Sequence, residues 1–139
     1  VKVSGGGAFE NQSVNLTPHT DEPRSRMLRS SRWGGNLNVE VGGLASGWYQ
    51  VCIYVWEDNH PTTFRLTLSG QTIVDRFSSG SGGTWHRLGP FPVEVKNGKL
   101  QIEARDGDAN LSGIELWSGQ GPLPITIPSG FVTDPTAEQ

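Results

Sequence analysis

Wherever this chain shows a hydrophobic period, the period is two. Leu37, Val39 and Val41 alternate with Asn38 and Glu40, and Tyr49, Val51, Ile53 and Val55 alternate with Trp48, Gln50, Cys52, Tyr54 and Trp56. Phe64, Leu66 and Leu68 alternate with Arg65 and Thr67; Phe91, Val93 and Val95 follow a proline-bearing approach. Leu100, Ile102 and Ala104 alternate with Gln101, Glu103 and Arg105, and Ile114 and Leu116 flank Glu115. Strand side chains point to opposite faces in turn, so each run buries one face and wets the other. No segment carries a helical stripe. Several short strands separated by turn signals predict an all-β fold, an antiparallel β-sandwich.

The 139 residues suffice for one domain. Nineteen glycines and nine prolines punctuate the chain often enough to disfavour long helices. A net charge of −3 argues against nucleic acid or an anionic membrane as partner, and no apolar run is long enough to span a bilayer. With Cys52 as the only cysteine, an internal disulfide and a multi-cysteine zinc site are excluded. The chain starts at Val1 with no signal-like apolar segment, as expected of a mature protein or an excised piece. Residues 1–118 are expected to form the sandwich. Residues 119–139, rich in Pro, Gly and Thr, are expected to be a tail or linker, with a short extra strand at Ile125–Ile127 as an option.

The connections fall into two kinds. Gly42-Gly43 through Ser46-Gly47, Ser69-Gly70-Gln71 and Lys96-Asn97-Gly98-Lys99 are compact, and Asn-Gly suits a tight hairpin. Arg29–Gly35, Glu57–Thr63, Ser78–Thr84 and Asp106–Ser112 are longer and chemically rich. If each strand reverses its predecessor, the two kinds alternate along the chain. By parity, the rich loops gather at one end of the sandwich and the compact turns at the other, which makes the rich end a natural recognition surface.

That end collects Arg29, Arg32, Trp33, Trp56, Glu57, Asp58, Asn59, His60, Trp85, His86, Asp106, Asp108 and Asn110. Tryptophans beside carboxylates, amides and arginine suit a sugar, whose C–H face packs on an indole while its hydroxyls seek donors and acceptors. Trp33, Trp56 and Trp85 are the candidates for stacking, and Arg32, Asp58, His60, Asp108 and Asn110 for hydrogen bonds. A purely structural role, capping the core, is the alternative for Trp33 and Trp85. Tyr54, Trp56 and Trp117 offer a second platform on a sheet face, unless the tail from Gly119 covers them.

Other chemistries have weaker support. Asp106-Gly107-Asp108-Ala109-Asn110 resembles the start of a calcium loop, but Glu115 belongs to a strand and the downstream spacing is missing. The expected cofactor is none, with a structural calcium as the minority reading. Glu57, Asp58, Asp106 and Asp108 could supply a glycosidase pair, yet nothing marks a deep cleft, and His60 and His86 lack a nucleophile partner. Gly5-Gly6-Gly7 has no lysine in phosphate-loop spacing. Arg24, Arg26, Arg29 and Arg32, with Asp21 and Glu22 beside them, read as a solvated or carboxylate-paired segment.

The stretch from Gly47-Trp48-Tyr49 to Trp56-Glu57, then Phe64 to Val74, resembles malectin-like and related carbohydrate-binding domains of the galactose-binding-like superfamily. So do Lys99-Leu100-Gln101-Ile102 and Ala109 to Trp117. The likeness covers about residues 35–118. It implies a jelly-roll sandwich that binds a polysaccharide or oligosaccharide without breaking bonds. It also implies tethering to a catalytic domain in a secreted, extracellular or periplasmic protein. In the malectin family aromatic residues follow the loop glutamate; here that loop reads Glu57-Asp58-Asn59-His60, and Asp108 is the counterpart of the late acid. The remaining readings are a protein-interaction or structural sandwich and a small glycosidase.

Overall fold

The computed structural model describes residues 1–119 and the backbone of residues 132–133. The strands are β1 (Lys2–Ser4), β2 (Gly7–Phe9), β3 (Ser31–Gly34), β4 (Leu37–Val41), β5 (Gly47–Trp56) and β6 (Thr63–Leu68). They continue with β7 (Gln71–Ser78), β8 (Trp85–Val95), β9 (Leu100–Arg105), β10 (Ala109–Ser118) and β11 (Val132–Thr133), and a helix, α1 (Glu22–Leu28), precedes β3. They form two sheets, ordered β1-β4-β9-β6-β7 and β11-β8-β5-β10-β3-β2. All strand pairings in both sheets are antiparallel. The expected all-β sandwich is the fold observed.

The core follows from the alternation. Val51, Ile53 and Val55 of β5 face Leu37 and Val39 of β4, Phe64 and Leu66 of β6, and Leu100 and Ile102 of β9 across the interior. The glycine run at the start of the chain also has a physical role. β1 and β2 lie in different sheets, and Gly6, at φ +60°, makes the crossing. A Cβ there would fall 1.8 Å from the Trp33 carbonyl oxygen, a position that only glycine fills.

Several expectations are corrected. The arginine-rich segment contains a helix. Asp21 caps it by accepting from the Arg24 N–H at 2.9 Å, and Pro23 sits in its first turn, where a missing N–H costs nothing. Asp21-Glu22-Pro23 is a helix-start signature, but seven residues are too few to show a 3.6-residue stripe. Residues 31–34 are a strand rather than loop, because they pair with both β10 and β2. The strand expected at Ile114–Leu116 begins at Ala109, with a register shift between Leu111 and Gly113. The strand expected at Phe91 begins at Trp85, and a second register shift lies opposite Pro90. Beyond Ser118, Val132–Thr133 pairs with Leu88 and Arg87 of β8. The optional strand at Ile125–Ile127 lies outside the described residues. Among the described residues no helix is long and apolar enough to cross a membrane.

The two-ended arrangement is as parity predicts. At one end, the Thr62 hydroxyl donates to the Asp108 carbonyl at 2.7 Å, and the Ser79 hydroxyl donates to Glu57 Oε1 at 2.7 Å. These bonds tie together the β5–β6, β7–β8 and β9–β10 loops. At the other end, the Leu44 N–H of the β4–β5 turn donates to the Gly98 carbonyl of the β8–β9 turn at 3.0 Å.

Candidate functional site

The loop end holds a pocket of about 340 Å³, lined by Phe9, Trp33, Glu57, Asp58, Asn59, His60, Thr62, Asp108 and Asn110. Volume does not distinguish it, since the depression along Asn15, His19, Thr20 and Arg29 measures about 440 Å³. Its lining does. An exposed indole and a phenyl ring stand beside carboxylates and amides, the mixture of apolar wall and convergent polar groups that defines ligand sites.

Of the eight residues expected to form the site, Trp33, Asp58, His60, Asp108 and Asn110 meet at this pocket. Trp33 is 44% exposed, and its ring lies against the backbone of Gly7, where a Cβ would approach Nε1 to 2.9 Å. Asn110 is buried, and its amide N–H₂ donates to the Trp56 carbonyl (3.1 Å) and to Asp58 Oδ1 (3.4 Å). It therefore aims the Asp58 carboxylate. Asp108 and His60 are exposed on the rim, on the β9–β10 and β5–β6 loops.

The remaining three residues require correction. Trp56 and Trp85 are 0% and 1% exposed, so neither ring offers a free face. They form a second, smaller core with Leu28 and Tyr54, on the outer side of the six-stranded sheet beneath α1. Trp85 stacks on Tyr54 (centroids 6.2 Å apart), lies 5.7 Å from the Arg24 guanidinium and donates its indole N–H to the Pro18 carbonyl at 2.7 Å. Gly113 lies beneath the helix, where a Cβ would come within 2.7 Å of the flexible Met27 side chain at Sδ. Arg32 is not part of the pocket lining. It alternates with Trp33 along β3, so it occupies the opposite face, and its Nε donates to the Gly5 carbonyl at 2.6 Å.

The sheet-face platform is corrected in the same way. Tyr54 and Trp56 are covered by α1 and the segment before it, with Phe9, Val14, Leu16 and Met27 packed against them. Burial, followed by the neighbouring Glu115 carboxylate, raises the Tyr54 hydroxyl above the usual phenol range, so it serves as a neutral donor to Glu115 Oε2 at 3.3 Å. Trp117 alone of that trio is exposed, at 59%.

Sequence reasoning missed Phe9, Gln12 and the structural role of Glu57. Phe9 packs edge-on against Trp56 at 6.0 Å and also walls the pocket, so it provides the apolar surface that Trp56 was expected to give. Gln12 Nε2 donates to Asp58 Oδ2 at 3.3 Å. Glu57 is 2% exposed, and its carboxylate accepts from the Ser79 hydroxyl and from the backbone N–H groups of Asp58 and Asn59. It pins the loop that presents Asp58.

The Asp106-Gly107-Asp108 turn is shaped by close backbone approach. Asp106 pairs with Arg65 at 3.2 Å, and Gly107, at φ +144°, would place a Cβ 1.7 Å from the Thr63 carbonyl oxygen. Gly107→Ala is expected to lower stability by more than about 1 kcal/mol. An unchanged urea midpoint would contradict that. His86 lies outside the pocket, with its ring edge-on to Phe77 at 5.1 Å. Burial pushes its imidazole below the usual value of 6.5. As pH falls past that value the unfolded chain takes up the proton first, so His86 removes stability from about pH 6.5 downward until the folded form also protonates. His86→Gln should therefore flatten the fall in melting temperature between about pH 7 and 5. An equal fall in both proteins would refute the assignment.

No protein-family model matches the chain, and no curated protein matches it in sequence. Among solved structures it is similar to part of a Bacteroides uniformis beta-glucuronidase, with a TM-score of 0.65 and 14% identity over 84% of this chain. It is likewise similar to part of Bacteroides uniformis beta-glucuronidase 2, with a TM-score of 0.63 and 13% identity over 82% of this chain. The chain spans 14% of the length of each. A family 35 carbohydrate binding module from Clostridium thermocellum aligns over 85% of this chain and 92% of its own, with 18% identity and a TM-score of 0.48. The two glucuronidase likenesses agree with the sandwich fold.

Proposed function

We propose that this chain is a non-catalytic carbohydrate-binding module that takes a polysaccharide or oligosaccharide in the loop-end pocket. One observation carries the reading: the half-exposed indole of Trp33 forms a wall of a pocket whose lining also includes the polar side chains of Asp58, Asn59, His60, Asp108 and Asn110. A pyranose ring would stack on Trp33 and Phe9 while its hydroxyls donate to the two aspartates. The Glu57 carboxylate accepts three hydrogen bonds that hold its loop, which leaves Asp58 and Asp108 as the available acids among the described lining residues. So small a site supports modest affinity, and tethering to a carbohydrate-active partner would raise its effective concentration on a polymer.

Titrating intrinsic tryptophan fluorescence with a broad panel of soluble plant and bacterial polysaccharides tests this reading. A saturable change is expected for at least one of them. Silence across the panel would overturn it, and release of reducing ends that Asp58→Asn or Asp108→Asn abolishes would make the protein a glycosidase instead.

A further inference from the structure

We infer that the loop-end pocket selects uncharged sugars and rejects uronates and other anionic glycans; this rests on the carbohydrate reading above and specifies its ligand. Asp58, Asp108 and the buried Glu57 line the pocket, and among the described residues neither lysine nor arginine does. The groups that hold Asp58 in place are neutral. Asn110 Nδ2 reaches one carboxylate oxygen at 3.4 Å and Gln12 Nε2 the other at 3.3 Å. Amides of this kind orient a carboxylate without cancelling its charge.

The nearby arginines are committed elsewhere. Arg65 pairs with Asp106 at 3.2 Å, and Arg32 donates to the Gly5 carbonyl from the opposite face of β3. Arg105 donates to the Leu37 carbonyl, to Asn38 Oδ1 and to Glu103 Oε2. A hydroxyl-rich neutral sugar meets ready acceptors here. A sugar carboxylate meets like charge, and among the described lining residues there is no guanidinium or ammonium to offset it, the arrangement by which sites exclude a wrong ligand.

The experiment titrates the protein with galactan, mannan and cello-oligosaccharides beside their anionic counterparts homogalacturonan, alginate and oligoglucuronate. Each titration is run in chelator and again with added calcium. Binding is expected only among the neutral members, with a preference of roughly tenfold or more over the charged counterpart. Added salt should narrow that gap by screening, and so should Asp108→Asn or Asp58→Asn, each first checked for native melting. Binding of any anionic member as tight as its neutral partner, in either medium, overturns the inference and leaves the carbohydrate reading standing. A gap unchanged in both variants also overturns it. Failure of every sugar in this set and in the broad polysaccharide panel to bind removes the carbohydrate reading, and the inference with it.

Discussion

Replacing Trp85 by alanine is expected to destabilise the fold by about 3–5 kcal/mol, the usual range for truncating a fully buried large aromatic. The ring is 1% exposed, stacks on Tyr54, faces the Arg24 guanidinium and satisfies its N–H on the Pro18 carbonyl. Truncation would therefore empty the layer between α1 and the sheet and leave that carbonyl without its indole donor. For a domain of this size the melting temperature should fall on the order of 10 °C. Protein that remains folded should keep its ligand affinity, because the ring does not reach the pocket. A melting point within a degree or two of the parent, or a selective loss of binding at full stability, would place Trp85 at the ligand and refute its burial.

Trp33→Ala should do the reverse. The ring is 44% exposed and rests on the backbone of Gly7, so its loss leaves no sealed cavity, and the expected change in stability is small. Binding, in contrast, should weaken by roughly tenfold or more, as expected for removing the main stacking surface of a small site. Trp117→Ala is the control, since that ring is exposed on a sheet face and is not part of the pocket lining. If Trp33→Ala binds like the parent while Trp117→Ala does not, the ligand sits on the sheet and the loop-end assignment fails. Affinity electrophoresis in gels containing the identified polysaccharide reads both variants side by side.

The two predictions differ because two kinds of tryptophan look alike in sequence. Alternation located β4, β5, β6 and β9 well, since half-buried strands carry a period of two, and counting hairpins was enough to bring Asp58, His60 and Asp108 to one end. What alternation cannot give is whether the outward face of a sheet stays outward. Trp56 and Tyr54 do point away from the main core, but α1 and the segment before it lie over them and turn that face into a second interior. The covering segment shows little periodicity, and its signals are local: a capping aspartate, an early proline and a helix of seven residues. Phe9 and Gln12 were missed for the same reason. Their roles depend on β2 joining the edge of the six-stranded sheet, a pairing between distant parts of the chain. Arg32 illustrates a different limit. Its neighbour Trp33 lines the pocket, and treating residues 29–35 as loop hides the strand geometry that sends adjacent side chains to opposite sides.

The separation of loops and turns between the two poles has a practical consequence. The lysines of this chain are Lys2, Lys96 and Lys99. Lys96 and Lys99 flank Asn97-Gly98, and Lys2 lies in register with Glu40 near the same end of β4, where Lys99 approaches Glu40 to 3.9 Å. Amine-reactive attachment to a sensor chip or bead through these side chains would therefore anchor the molecule by its far pole. Every immobilised copy coupled in this way would present Trp33 and Asp108 to the flowing analyte.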